Sequence, residues 1–189
     1  MKEASLLYGT TDIGPQFFSS DLLWRTRFHA PDPFTLVEIE GERFLLVSAL
    51  EYERARNEAE ADRVVLLEKE IEASGRKDFI GGLVHFLEAH NVGKVVVAET
   101  LPHVIGKELE KKFELVIRKG IFYTERIRKT KEEIAEIEKA SEAVDGALAG
   151  AVEFLGSCHV KGAYIYRDDE IVTSEMLRKI IDAKLYESG

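Results

Sequence analysis

The chain has 189 residues, 45% of them hydrophobic and 32% charged, which suits one complete α/β domain with part of a second and excludes a disordered segment. Its formal net charge of −9 argues against nucleic acid as a generic partner, because phosphate binding needs surplus positive potential. Cys158 is the sole cysteine, so neither a disulfide framework nor a cysteine-rich zinc site can be built. The opening residues carry no secretory h-region and no apolar run reaches membrane length, so a cytoplasmic protein with no membrane partner is expected.

Strand and helix signals alternate over the first two-thirds. Ser5 to Tyr8 predicts a short strand. Phe34–Ile39 and Phe44–Val47 flank Glu40-Gly41-Glu42 and predict a β-hairpin. Ser48 and Glu51 fit a capping box opening a charged surface helix to about Ala61, and Val64 to Leu67 a further strand. Asp78 is placed to cap a helix carrying Phe79/Ile80, Leu83/Val84 and Phe86/Leu87, ending near Asn91 and Gly93. Lys94 to Ala98 has the character of a buried strand. Pro102 suits the start of a helix that buries Ile105, Leu109 and Phe113, and Leu115 to Ile117 closes the pattern with a strand. The expected fold is α/β, a mixed β-sheet flanked by helices.

The character changes at Thr130. Thr130 and Glu133 form a second capping box, followed by Ile134, Ile137, Val144, Leu148, Ala151 and Leu155 at three- and four-residue steps, with Ser141 the polar position in the stripe. The helix should run about 25 residues, about 38 Å, to Gly156. Tyr164–Tyr166 and Ile171–Val172 predict a small hairpin, with Asp168 and Asp169 as its turn. Thr173 or Ser174 then caps a helix carrying Leu177, Ile180, Ile181 and Leu185. Burying half a dozen such side chains stabilises by roughly 1.5–3 kcal/mol each, so these stripes call for a partner chain, the first domain, or the remainder of a second domain.

Four segments, Asp21–Phe28, Leu50–Ala55, Glu125–Ile134 and Thr173–Gly189, in that order and spacing resemble the creatinase/prolidase/aminopeptidase P family of Xaa-Pro peptidases. Asp21-Leu-Leu-Trp24-Arg-Thr-Arg-Phe28 is similar to its early strand motif, an aromatic followed by a Thr-Gly-Phe-like turn, with Arg27 where the family often has glycine. Leu50-Glu51-Tyr-Glu-Arg54-Ala55 resembles its helix start after the hairpin. Glu125-Arg126-Ile-Arg128-Lys129-Thr130-Lys131-Glu132-Glu133-Ile134 is similar to its passage into the catalytic domain, and Thr173 to Gly189 to that domain's second helix. The resemblance implies a creatinase amino-terminal-like α/β domain over 1–127, and over 128–189 the first helices of an incomplete catalytic, pita-bread domain.

The family's chemistry uses two divalent metals, manganese, cobalt or zinc, held by two Asp, one His and two Glu; a bridging hydroxide attacks the peptide or amidine carbon. Those ligands lie downstream of this sequence, so the resemblance implies no catalytic residue, no metal ligand and no cofactor in the chain itself, which alone should be inactive. The residues themselves agree. Asp168 and Asp169 point opposite ways if extended. His85 and His90 are five apart where a helical ligand pair wants three or four. His103 reads as exposed, and His159 beside Cys158 lacks a partner pair. Gly81-Gly82 lies inside a helix without the strand a dinucleotide fingerprint requires. Arg118, Lys119, Arg126, Arg128, Lys129 and Lys131 read as a solvated connector balanced by the acidic helix that follows, with an anion patch the alternative.

In relatives the amino-terminal domain pairs subunits and leans a loop over a neighbouring active site. The matching stretch is Trp24 to Phe34, and Arg27, His29 and Asp32 are its candidate substrate-binding residues; the plainer reading is an exposed polar loop stiffened by Pro31 and Pro33. The expected function is the non-catalytic part of an Xaa-Pro aminopeptidase or dipeptidase, a homodimer that restricts peptide substrates. The alternatives are a non-enzymatic peptide- or protein-binding module on the same scaffold, and part of a creatinase-like amidinohydrolase.

Overall fold

Glu40 and Gly41 both adopt positive φ, 52° and 88°, the backbone that a tight two-residue hairpin turn demands. They join β2 (Phe34–Ile39) to β3 (Glu42–Val47), with Ile39 opposite Glu42 and Thr35 opposite Leu46. The computed structural model describes residues 1–12 and 17–188. It divides into two units, Met1–Arg126 and Ile127–Gly189.

In the first unit, β1 (Lys2–Gly9), β4 (Arg63–Leu66), β5 (Val92–Ala98) and β6 (Glu114–Arg118) complete a six-stranded sheet of order β4-β3-β2-β1-β5-β6. Only β2 runs against its neighbours; the β1–β5, β5–β6 and β3–β4 pairs are parallel. The sheet is therefore mixed, as expected. The carboxyl ends of β1, β3, β4, β5 and β6 and the amino end of β2 share one edge, so the chain entering β2 at Phe34 arrives there.

Strand alternation splits the core into two faces. Leu6, Val37, Phe44, Leu46, Val95 and Val97 face one side, covered by α4 (Phe79–Ala89) and α5 (His103–Leu109) through Leu83, Phe86, Leu87, Ile105 and Leu109. Leu7, Leu36, Leu45, Val47 and Val96 face the other, covered by α1 (Ser20–Thr26), α2 (Ala49–Glu58) and the segments bearing Phe28, Ala30 and Phe122.

Three local expectations are corrected. The segment resembling a strand motif at Asp21–Phe28 forms α1 over Ser20–Thr26, because Ser19 accepts from Leu22 N at its start and Leu22 and Thr26 are buried. The Ser48/Glu51 capping box does not form: Ser48 makes no side-chain cap bond. Glu51 instead accepts from Arg54 Nη1 (2.7 Å), and Glu68 Oε1 takes the Ala49 N–H (3.0 Å). That helix stops at Glu58 rather than Ala61. The sequence reading also passed over a helix, α3 (Leu67–Ser74). It has no side-chain cap and only Leu67 and Ile71 as apolar anchors, and it is held by packing on α4.

The double glycine explains that packing. A Cβ on Gly82 would stand 2.8 Å from Ile71 Cγ1 and 3.0 Å from Ile71 N. Gly82 is small so that α4 can approach the α3 backbone. Asp78 caps α4 as expected, accepting from Gly81 N at 2.7 Å.

In the second unit, Thr130 and Glu133 form the expected capping box and open α6 (Lys131–Gly156), 26 residues long. A three-stranded antiparallel meander follows: β7 (His159–Lys161), β8 (Tyr164–Arg167) and β9 (Glu170–Ile171). Asp168, at φ 53°, lies in the last turn. Thr173 caps α7 (Ser174–Glu187), which packs on α6. Within α6 only Ala147 and Ala151 are buried; Ile137 is 51% and Leu148 53% exposed.

Candidate functional site

The stretch from Thr26 to Asp32 carries the candidate residues, and burial alternates along it. Thr26, Phe28 and Ala30 are buried, whereas Arg27, His29 and Asp32 are exposed. Phe28 and Ala30 are anchors in the core of the second sheet face, and Phe28 packs edge-on against Phe34 at 5.6 Å. Arg27 and His29, on either side of the Phe28 anchor, are thereby turned to solvent.

The backbone around them is held at many of its polar groups. Thr26 O accepts from Glu60 N (2.7 Å), and Arg27 N donates to Leu23 O (2.8 Å). Phe28 N donates to Thr26 Oγ1 (3.3 Å), whose own hydrogen goes to Leu22 O (2.8 Å). Thr11, 1% exposed, bridges the far side: its hydroxyl donates to Phe28 O (2.6 Å) and accepts from Ala30 N (2.8 Å). Ala30 O in turn accepts from Thr11 N at 3.1 Å. His29 O accepts from Arg54 Nη2 (2.9 Å). Buried backbone groups satisfied in this way leave a loop little freedom to rearrange. The threonines and Arg54 hold it, beside Pro31 and Pro33.

Arg27 closes α1 in the left-handed region, φ 51° and ψ 16°. Glycine is the usual residue at such a helix end. The loop thus has a glycine-type backbone with arginine at the position.

Beside this loop, a polar network secures the outgoing end of the first unit. Arg25 Nε and Nη2 both approach Glu38 Oε1 at 2.6 Å, and the Tyr123 hydroxyl donates to Glu38 Oε2 at 2.6 Å. Asp21 Oδ1 accepts from Tyr123 N and Arg126 Nη1, each at 3.3 Å. Burial, and then the bond to Glu38, push the Tyr123 phenol far above its ordinary pKa. Burial works against the Arg25 charge, but the Glu38 carboxylate outweighs it and raises the guanidinium pKa. Both shifts favour the protonated donors that the network uses. The sequence reading missed Thr11, Thr26 and this network, whose own partners lie 13 to 105 residues apart.

The remaining histidines and acids do not converge. His85 Nδ1 lies 2.7 Å from Glu70 Oε2, His90 Nδ1 2.8 Å from Phe86 O, and His159 stacks on Tyr166. Among the described residues no group of three or more His, Cys, Asp or Glu side chains is placed to hold a metal ion. Exposed His103 lines a cleft at the carboxyl ends of β5 and β6 with Glu99, Lys107 and Glu110. At about 80 Å³ it is well below the few hundred Å³ that a bound peptide needs. Among the described residues no helix is long and apolar enough to cross a membrane.

No family model matches the chain, and no curated protein matches it by sequence. Solved structures do. The Xaa-Pro dipeptidase of Bacillus anthracis aligns with all of this chain at a TM-score of 0.73 and 12% identity. The fold is that of the amino-terminal part of the Xaa-Pro peptidases. The prolidase of Pyrococcus horikoshii OT3 aligns over the whole chain at a TM-score of 0.68 and 20% identity. The X-Pro aminopeptidase of Thermotoga maritima MSB8 does so at 0.66 and 13%. The chain spans less than half of each, 45%, 45% and 47%. The mixed sheet flanked by helices matches the amino-terminal domain of these Xaa-Pro peptidase structures.

Proposed function

We propose that this chain is the non-catalytic amino-terminal region of a metal-dependent Xaa-Pro aminopeptidase or dipeptidase, serving dimerisation and substrate restriction. The observation that carries the reading is the alignment of the whole chain with 45% of an Xaa-Pro dipeptidase. The exposed side chains of α6 add support. Ile134, Ile137, Val144, Leu148 and Val152, each still about half or more exposed, line one stripe, and covering the remainder is worth about 1 kcal/mol each, so further protein is expected against them.

Hydrolysis then belongs to a downstream region holding two divalent ions, manganese, cobalt or zinc. The described side chains of this chain do not fit such a pair, and no chemical step is assigned to them. Their part is recognition. Arg27 and His29 stand on a preorganised loop, with Asp32 beyond Pro31, and are suited to hydrogen-bond a substrate carboxylate or carbonyl across a homodimer interface. A fixed backbone lowers the entropic cost of that contact.

The test is the reading frame beyond Gly189. The expected result is an extension carrying two Asp, one His and two Glu as metal ligands, whose product cleaves Xaa-Pro dipeptides in preference to creatine. A stop codon at that point, with no such ligand set, contradicts the proposal.

A further inference from the structure

Arg54 is the one charged side chain of α2 shown bonded to the candidate loop, and it reaches the loop at its most informative point. Its Nη2 donates to His29 O at 2.9 Å, and its guanidinium carbon lies 5.3 Å from the Phe28 ring centroid. From the helix itself, Glu51 Oε2 accepts from Nη1 at 2.7 Å and Glu58 Oε2 from Nη2 at 3.3 Å. The two carboxylates, three residues before and four after, aim the planar fork across the helix toward the loop. Because Thr11 fixes Phe28 O and Ala30 N, the His29 carbonyl is the point between them that Thr11 does not reach. That carbonyl shares its peptide plane with Ala30 N, so Arg54 holds from the oxygen the plane that Thr11 holds from the nitrogen, and the two together fix the backbone from which the imidazole leaves.

We infer that Arg54 is a positioning residue for the substrate-facing loop, orienting His29 through its carbonyl; this rests on the reading that His29 meets substrate. Lysine cannot replace it. A single ammonium lacks the fork that meets Glu51, Glu58 and the carbonyl together and the flat face that lies over Phe28.

The experiment compares Arg54→Lys, Arg54→Ala and His29→Ala with the parent. In the 189-residue chain, the His29 carbonyl carbon shift and the backbone order parameters of residues 28–31 are measured by NMR, with thermal unfolding as the control for folding. In the gene's complete product, kcat and KM are measured for an Xaa-Pro dipeptide. Both Arg54 variants should move the carbonyl shift and lower the order parameters, and raise KM about tenfold or more with kcat less affected. Lysine should give no rescue. An unchanged carbonyl shift and unchanged order parameters overturn the positioning role. So does a KM that His29→Ala raises and Arg54→Ala leaves alone. If His29→Ala itself leaves KM unchanged, or the complete product has no activity, the reading of the loop as substrate-facing fails, and the NMR arm alone decides whether Arg54 positions it.

Discussion

The phenol of Tyr123 donates to Glu38 Oε2 at 2.6 Å across 85 residues of sequence. With Arg25 on the other carboxylate oxygen, this bond fastens the segment after β6 to the middle of the sheet. A hydrogen bond to a charged group is worth about 1.5–3 kcal/mol, and Tyr123→Phe should lose about that much at pH 7, measured by denaturant unfolding. The pH dependence has a definite sign. The folded phenol has the higher pKa, so its contribution is complete below the unfolded value near 10. It falls as pH rises above that value. Tyr123→Phe should therefore flatten the alkaline loss of stability. An equally steep loss in the variant would show that the phenol is not the group responsible.

Gly82→Ala should destabilise, although alanine is the better helix former by about 1 kcal/mol. The new methyl would meet Ile71 at its backbone N, 3.0 Å away, which cannot step aside without moving α3. Overpacking of this kind costs about 1–3 kcal/mol. A raised melting temperature would refute the close approach of the two helices.

Thr35 has the opposite character. It is fully buried on β2, and its hydroxyl has no hydrogen-bond partner among the described residues. Thr35→Val removes an unsatisfied polar group while keeping the branched shape that suits a strand, and should stabilise by about 1 kcal/mol. A loss of stability would mean the hydroxyl is satisfied in solution.

Arg27→Gly separates backbone from side chain at the candidate site. A non-glycine residue in the left-handed region carries about 1 kcal/mol of strain, so glycine there should raise stability slightly, by up to about 1 kcal/mol. The same change removes the guanidinium and, on the proposed function, weakens dipeptide binding by the complete product. A gain in stability together with a raised KM is the expected pair of results.

Much of this fold could be read from residue order. The hairpin at Glu40-Gly41, the cap at Asp78 and the capping box at Thr130 are local signals, and each forms between residues at most three apart. Most of what escaped the reading was non-local. Helix α3 exists because Gly82 lets it pack, which its own charged sequence does not announce. Ser48 and Glu51 have the composition of a capping box, but Arg54 competes for Glu51 and Glu68 supplies the acceptor. At the candidate loop, Pro31 and Pro33 were visible. Thr26, which bonds the nearby Leu22 O and Phe28 N, was missed as well. Thr11 was not visible, because an ordinary threonine becomes a backbone clamp of its kind only when the fold brings it beside a distant carbonyl. The Tyr123–Glu38–Arg25 network is hidden for the same reason.

The most direct test of the account is hydrolysis of an Xaa-Pro dipeptide by the purified 189-residue chain, with manganese or cobalt added and with chelator. The expected result is no turnover in any condition and no stoichiometric uptake of two ions. Tight binding of two ions with metal-dependent cleavage of the proline peptide would contradict it.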